Sequence, residues 1–302
     1  MPNANPHAAP ARSAFRPSLM HGGFAADAAT ARRMIATAPA REASGEMAHL
    51  SAYCNGGARE KRKPYGFRDG VAIIGVRGYL MDEYPWLGDN WATGYDSLRY
   101  QSEMAHADEE VRGVALDVRS YGGYVAGCFD LCDDMAAMRK ASGKPVVAIC
   151  SEYAYSAAYA VIASAAGSIS VPRTGGVGSI GVICEHWNYA GALQKWGDEV
   201  TLIYSGEHKA DGNPFEALPD QVKADLQAEL DATRKLFAET VSRGRMAAGA
   251  KLTVEQVLAT EARTYDGPAR TAEAVTLGLA DAVLAPAAAF AAFVAAINGN
   301  ED

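Results

Sequence analysis

The chain has 302 residues, 49% of them hydrophobic and 21% charged, an ordinary globular balance with room for one large α/β domain. Its 36 acidic and 28 basic residues leave a formal net charge of −8, which argues against nucleic acid as a partner because phosphate binding needs a basic surface. Five cysteines without a CxxC pair, and an N-terminus without a leader-like apolar core, point to reduced thiols in a cytoplasm.

Residues 1–30 are rich in Ala, Pro and Asn and read as a flexible arm, with one domain expected over 31–302 and its core over about 71–284. An Ala/Met/Leu pattern suggests a short helix from Ala31 to about Tyr53. VAIIGVRGYL (71–80) is β-branched and compact, the first expected strand. Helical spacing follows over Tyr95–Asp108, then a buried strand over 111–120 and a loop, YGGYVAG (121–127). Over 128–140 the residues Cys128, Leu131, Cys132, Met135 and Met138 mark one helix face. Cys128 and Cys132 are spaced to share a metal, but no neighbouring His/Cys pair completes a tetrahedral set, so no metal is expected.

KPVVAIC (144–150) is a third strand, leading through a small-residue turn at Ser156 into an Ala-rich helix, a further apolar strand and the loop GGVGSIGVI. VTLIYSG (200–206) reads as another strand and HKADGNPFEALPD as a loop. A long amphipathic helix is expected from Pro219 to Arg245, with Leu226, Leu230, Phe237 and Val241 on its apolar face. A helix, a short strand near Arg263–Tyr265, a helix, a short strand at about 281–284 and a C-terminal Ala-rich helix complete the chain. That last apolar stretch, 284–297, is shorter than the about 20 residues a bilayer takes, so no membrane anchor is expected. Strands alternating with helices imply βαβ units around a mostly parallel sheet.

A serine at a sharp turn before a helix can be a nucleophile exposed beside free backbone N–H groups. The same position suits a helix N-cap, which is the commoner role when the local sequence is taken alone. A nucleophilic serine needs a base. Among the six histidines only His186 and His208 are candidates, and no Asp–His–Ser set stands out. The alternative is a lysine whose pKa, ordinarily near 10.4, falls on burial; Lys209, in a loop of turn formers, is that candidate. Ser179 lies between glycines and could hold a lysine amine, or simply sit in a tight turn. Gly122 and Gly123 follow a buried strand, and their N–H groups, with that of Ala157, could bind an oxyanion or belong to an ordinary βα turn.

In their order, DVRSYGGYVAG, AYSAAYAVIASAA, GGVGSIGVI and SGEHKADGNPF resemble the signal peptide peptidase A-like (SppA-like) serine peptidases, over about Val71 to Leu284. The resemblance implies an α/β fold, the ClpP/crotonase-like spiral of βαβ units, with no cofactor. It implies that Ser156 is the nucleophile, Lys209 the general base, Ser179 the residue orienting the lysine, and Gly123, Gly122 and the Ala157 amide the oxyanion hole. It also implies a ring-like homo-oligomer whose subunits complete each other's sites. Two departures stand out: the family's SPGG turn reads SYGG here, with Tyr121 in place of proline, and the family's membrane anchor is not expected. The serine turn and lysine loop look more like the phage and prophage head-assembly branch, which implies scaffold, portal or capsid proteins as substrates, in a host cytoplasm or procapsid. In that branch a scaffold segment may follow the protease domain, and none is expected in this chain. Three rival readings are a bacterial cytoplasmic SppA-like peptidase degrading peptides, a crotonase-type acyl-CoA enzyme, and an inactive capsid-assembly binding protein.

Overall fold

The computed structural model describes residues 63–84, 87 and 90–299; the expected N-terminal arm, the helix at 31–53 and Cys54 lie outside these. Nine strands form one sheet: β1 (Gly66–Arg68), β2 (Val71–Met81), β3 (Ala92–Gly94), β4 (Gly113–Gly123), β5 (Val146–Tyr155), β6 (Ser168–Val171), β7 (Gly176–Gly178), β8 (Thr264–Asp266) and β9 (Ala282–Val283). Its main path runs β1-β2-β4-β5-β6-β9, and all its pairings are parallel except β1 with β2. β3 pairs parallel with the far end of β2, β7 parallel with the far end of β5, and β8 antiparallel with β7. Eight helices occur among the described residues: α1 (Tyr95–Ala107), α2 (Cys128–Ser142), α3 (Ala157–Ala165), α4 (Ala190–Trp196), α5 (Asp220–Ala247), α6 (Val254–Leu258), α7 (Gly267–Leu277) and α8 (Pro286–Asn298). None of the described helices is long and apolar enough to cross a membrane.

The central strands carry apolar side chains on both faces, as a parallel sheet covered on both sides requires. Ile74, Val76, Leu116, Val118, Ala148 and Cys150 join one core with Leu98 of α1, Leu131 of α2, α3 and Phe237 of α5. Val71, Ala115 and Ile149 pack against Ala289 and Phe293 of α8 in a smaller core. Every residue of α3 is buried, and a helix apolar on all sides belongs in an interior.

Two stretches depart from the expectations. VTLIYSG (200–206) is neither strand nor helix; Val200, Leu202, Ile203 and Tyr204 are exposed, Ile203 at 96%. A β-branched run announces that it will be covered, but no described part of this chain covers it. In α5 only the C-terminal half is packed: Phe237 and Val241 are buried, whereas Leu226 and Leu230 are half-buried. Elsewhere strands outrun their expected ends. β4 continues through Gly122 and Gly123, and β5 runs to Tyr155, which reduces the expected turn to Ser156 itself.

α5 lies on α3 at Gly244. A Cβ there would stand 2.2 Å from the Ala163 carbonyl oxygen and 2.7 Å from Ser164 Cα, so the two backbones touch only because the side chain is missing. Next to it Arg245, fully buried, donates from Nε to the Gly278 carbonyl (2.9 Å) and from Nη2 to Asp281 (2.8 Å). Asp281 also accepts the Ile169 amide (2.6 Å), and Tyr159 of α3 donates to the Leu279 carbonyl (2.8 Å). We expect Gly244→Ala to cost about 1–3 kcal/mol of stability through overpacking, read by urea denaturation; an unchanged midpoint would mean the helices separate freely.

His106 on α1 is half-buried with Nδ1 2.7 Å from Ser142 Oγ, and burial, helped by the charge of Lys144, pushes its imidazole down to about 4. The unfolded chain, with an ordinary value of 6.5, takes up a proton that the folded chain refuses between these two values. The contribution of neutral His106 is therefore complete above the unfolded value and is lost as pH falls toward the folded one. Between about pH 7 and about pH 5 the wild type should lose more unfolding free energy than His106→Gln; equal losses would assign the effect to another group.

Candidate active site

Ser156 occupies the single residue between β5 and α3, with φ 56° and ψ −126°. That backbone conformation strains any residue with a side chain, at a cost on the order of 1–3 kcal/mol. Neighbouring groups hold it in place. The Ser156 amide donates to the Gly178 carbonyl (2.8 Å), and its carbonyl accepts the Ala160 amide (3.0 Å) to open the helix. Although the residue stands at the N-cap position, its side chain makes no capping hydrogen bond, and its buried Oγ has no hydrogen-bond partner among the described residues. A serine kept at a strained turn without using its hydroxyl structurally is the arrangement a nucleophile needs.

The Gly-Ser-Gly loop sits directly beside it. Tyr155 is in register with Gly178 across β5 and β7, so Ser179 is the next residue along from the carbonyl that holds Ser156. Ser179 also has positive φ, 57°, and its amide donates to the Arg263 carbonyl (3.0 Å), which ties the loop to the start of β8. Ser156 and Ser179 are thus brought together by backbone bonds.

The glycine pair ends β4. Gly122 has φ 103°, open in practice only to glycine, and a Cβ on Gly123 would lie 1.8 Å from the Leu80 carbonyl oxygen. The Gly122 amide is already engaged, donating to Ser120 Oγ (3.0 Å), while that hydroxyl donates to the Gly78 carbonyl (2.6 Å). Tyr124 gives its amide to the Leu80 carbonyl (2.9 Å). N–H groups alternate along a strand, so the Gly123 amide faces the β5 side, past the last β4–β5 pair, Ser120 with Ala154. Of the expected oxyanion donors, Gly123 and the Ala157 amide at the first turn of α3 remain suited, and Gly122 does not. Tyr121, in place of the family's proline, stacks on Tyr153 with ring centroids 3.9 Å apart, and Tyr153 stacks on Tyr155. The residue Ser120 is one that sequence reasoning missed; its place immediately before SYGG's Tyr-Gly-Gly was the available signal.

A small apolar hollow of about 10 Å³ adjoins the first turn of α3, between Val125, Phe129, Ala157, Ala160, Val182 and Phe237. That is room for about one water.

Lys209 is not brought to Ser156 within the chain. It is exposed, in a turn where its amide donates to the Gly206 carbonyl (3.1 Å). The loop itself is organised. Asn213 donates from Nδ2 to the Ala210 carbonyl (2.9 Å) and accepts the Phe215 amide at Oδ1 (3.0 Å), and the Tyr189 amide reaches the Pro214 carbonyl (2.7 Å). Asn213 was likewise not foreseen, although DGNP is a turn signal. Neither histidine candidate bonds Ser156: His186 contacts the Asn213 carbonyl (2.9 Å), and exposed His208 pairs with Asp211 (2.9 Å), whose carboxylate raises its pKa. No group of three potential metal ligands occurs among the described residues.

A model of peptidase family S49 matches residues 138–293, a span that contains Ser156, Ser179 and Lys209. The head-tail preconnector protein GP5 of Enterobacteria phage P21 is 40% identical over 263 residues, 86% of this chain and 49% of that protein. Capsid assembly protease C of Escherichia phage lambda is 42% identical over 229 residues, 74% of this chain and 48% of that protein. Protease 4 of Salmonella typhi is 30% identical over 189 residues, 62% of this chain and 28% of that protein. The chain spans about half the length of its two phage relatives. With just over half of its residues matched by the family model, the chain belongs to peptidase family S49.

Proposed function

We propose that this chain is a serine endopeptidase using Ser156 and Lys209, built as a ClpP/crotonase-like spiral and acting on phage head proteins such as scaffold, portal or capsid subunits. The observation that carries the reading is the strained, buried Ser156 whose hydroxyl caps nothing. Ser156 Oγ attacks the scissile carbonyl carbon and passes its proton to neutral Lys209 Nζ. The negative charge that develops on the carbonyl oxygen is met by the Gly123 and Ala157 amides. Collapse expels the amine, which takes the proton from Lys209, and water then hydrolyses the acyl-enzyme by the same base. Ser179, next to Ser156, orients the lysine. The small hollow beside Ala157 favours a small side chain on the residue whose carbonyl is attacked.

Lys209 acts as a base only once it is desolvated and close. The segment that carries it supports how this comes about. Trp187, Tyr189, Trp196, Ile203 and Tyr204, all within residues 187–204, are exposed, Trp196 at 72%, and large exposed apolar side chains grouped in one stretch of chain suit an interaction surface. The reading is that a second copy covers this segment in a homo-oligomer and settles Lys209 beside a serine.

The central test compares wild type, Ser156→Ala and Lys209→Ala on casein and on a scaffold protein. Each variant should lose at least about 10³-fold in kcat/KM, and the products should begin after small residues. Equal cleavage by all three would sink the dyad, and no cleavage with capsid assembly still dependent on the chain would favour a binding role. A second expectation concerns assembly: wild-type specific activity should climb with protein concentration, and Ile203→Asp should lower both oligomer mass by light scattering and activity. A monomer as active as the wild type would separate catalysis from assembly.

A further inference from the structure

At the opposite end of the sheet from Ser156, an open cavity of about 790 Å³ lies where β4, β5 and β6 begin and α2 and α8 end. β5 spans the distance between them, from Val146 at the cavity to Tyr155 beside the serine, roughly 30 Å at the usual rise per residue. Among the described residues its walls include four cationic side chains, Arg112, Arg139, Lys140 and Lys144, and no carboxylate. In a chain of net charge −8 such a cluster runs against the overall composition. Its floor is apolar, with Phe293 and Ile297 of α8 beside Val147.

Three of them, Arg139, Lys140 and Lys144, are not spent on ion pairs: no carboxylate of the described residues lies within 4 Å of these three. Arg139 packs over Gly167 and reaches only the Ala165 carbonyl, at 3.4 Å, while burial lowers its pKa from the ordinary value. Lys144 is held in place by two carbonyls, those of Asp108 (2.6 Å) and Ala105 (3.1 Å). Asp108 and Glu109 are within electrostatic reach of Lys144, but the Asp108 carboxylate is taken by Lys63 and Tyr65. A half-desolvated guanidinium without a counter-charge gains from an anionic partner.

We propose that this cavity docks an acidic peptide segment of a partner protein, its carboxylates on Arg139, Lys140 and Lys144 and its interspersed apolar side chains on Phe293 and Ile297. Two features favour a peptide over a nucleic acid. A phosphodiester chain has no aliphatic side chains for such a floor, and the chain's net charge of −8 disfavours a long polyanion.

The test uses the full chain carrying Ser156→Ala, so that nothing is cleaved, and a short fluorescein-labelled peptide of alternating glutamate and leucine. Fluorescence polarisation should show saturable binding that weakens with salt. Lys140→Glu, at an exposed position, should raise Kd by about tenfold, and adding Arg139→Gln should raise it further, with urea unfolding midpoints confirming that both variants fold. A peptide with lysine in place of glutamate should not bind. Unchanged affinity in both variants would overturn the proposal. So would equal affinity for an all-glutamate peptide, which would leave the apolar floor unused, or tighter binding of an oligothymidylate, which would make the cavity a nucleic-acid site.

Discussion

The hydrogen bond from the Ser156 amide to the Gly178 carbonyl is the constraint around which the site is built. Without it only the carbonyl bond to the Ala160 amide would hold the residue at φ 56°, because the side chain contributes nothing: among the described residues its hydroxyl has no partner, and it caps no helix. The bond needs β7 alongside the end of β5, and β7 in turn is held by β8, so residues more than a hundred positions apart fix one backbone torsion. A strained turn survives only where its surroundings over-determine it, and here they do so from three strands and a buried helix.

Strain at the head of α3 would also be released if the helix could slide. Its nine residues are all buried, its flank touches α5 backbone to backbone at Gly244, and Tyr159 ties it to the Leu279 carbonyl. Arg245 and Asp281 knit α5 to β6 and to the turn before β9 behind it. A buried pair of this kind adds little net stability, because desolvation offsets the attraction. Its effect is to specify one arrangement of α3, α5 and β6. Reacting groups must be placed to within fractions of an ångström, so on the proposed mechanism such specification serves Ser156.

The parts of the fold governed by local periodicity were legible in the sequence. β-branched runs gave β2 and the start of β5, and the spacing of Leu131, Cys132 and Met135 gave α2. Strand ends were less so, because Gly122 and Gly123 look like turn residues although inside a ladder Gly122 serves a positive φ and Gly123 a close approach to Leu80. The run at 200–206 was misread for a deeper reason: hydrophobicity announces burial without saying against what, and a strand and an intermolecular contact share that signal. The special character of Ser156 was legible only in company, since an N-cap serine and Ser156 differ in a torsion and an absent hydrogen bond, neither of which is written in the residue types around them. Ser120 shows the same limit. Its hydroxyl links Gly78 to Gly122, residues 44 positions apart, and no local pattern encodes that meeting.

Tyr121, where the resembling family has proline, bears on how the turn at the end of β4 is kept rigid. A proline restricts its own φ and the residue before it, and so stiffens a turn through covalent geometry. Tyr121 lacks that restriction, and the rigidity has to come from contacts. Stacking on Tyr153 fixes the side chain from one face of the sheet, and the two bonds of Ser120 Oγ fix the backbone from within. Because the second of these uses the Gly122 amide, the turn is held by the same N–H that would otherwise have been free for a substrate. On the proposed mechanism this leaves one donor from β4 and one from α3, aimed from two separately anchored elements. Two donors so placed can meet a developing oxyanion without reorganising, which is where their catalytic value lies. On that mechanism, rigidity lost at residue 121 is recovered through residue 120, and a single chain already holds Ser156 and both donors in place, leaving only Lys209 to be brought in.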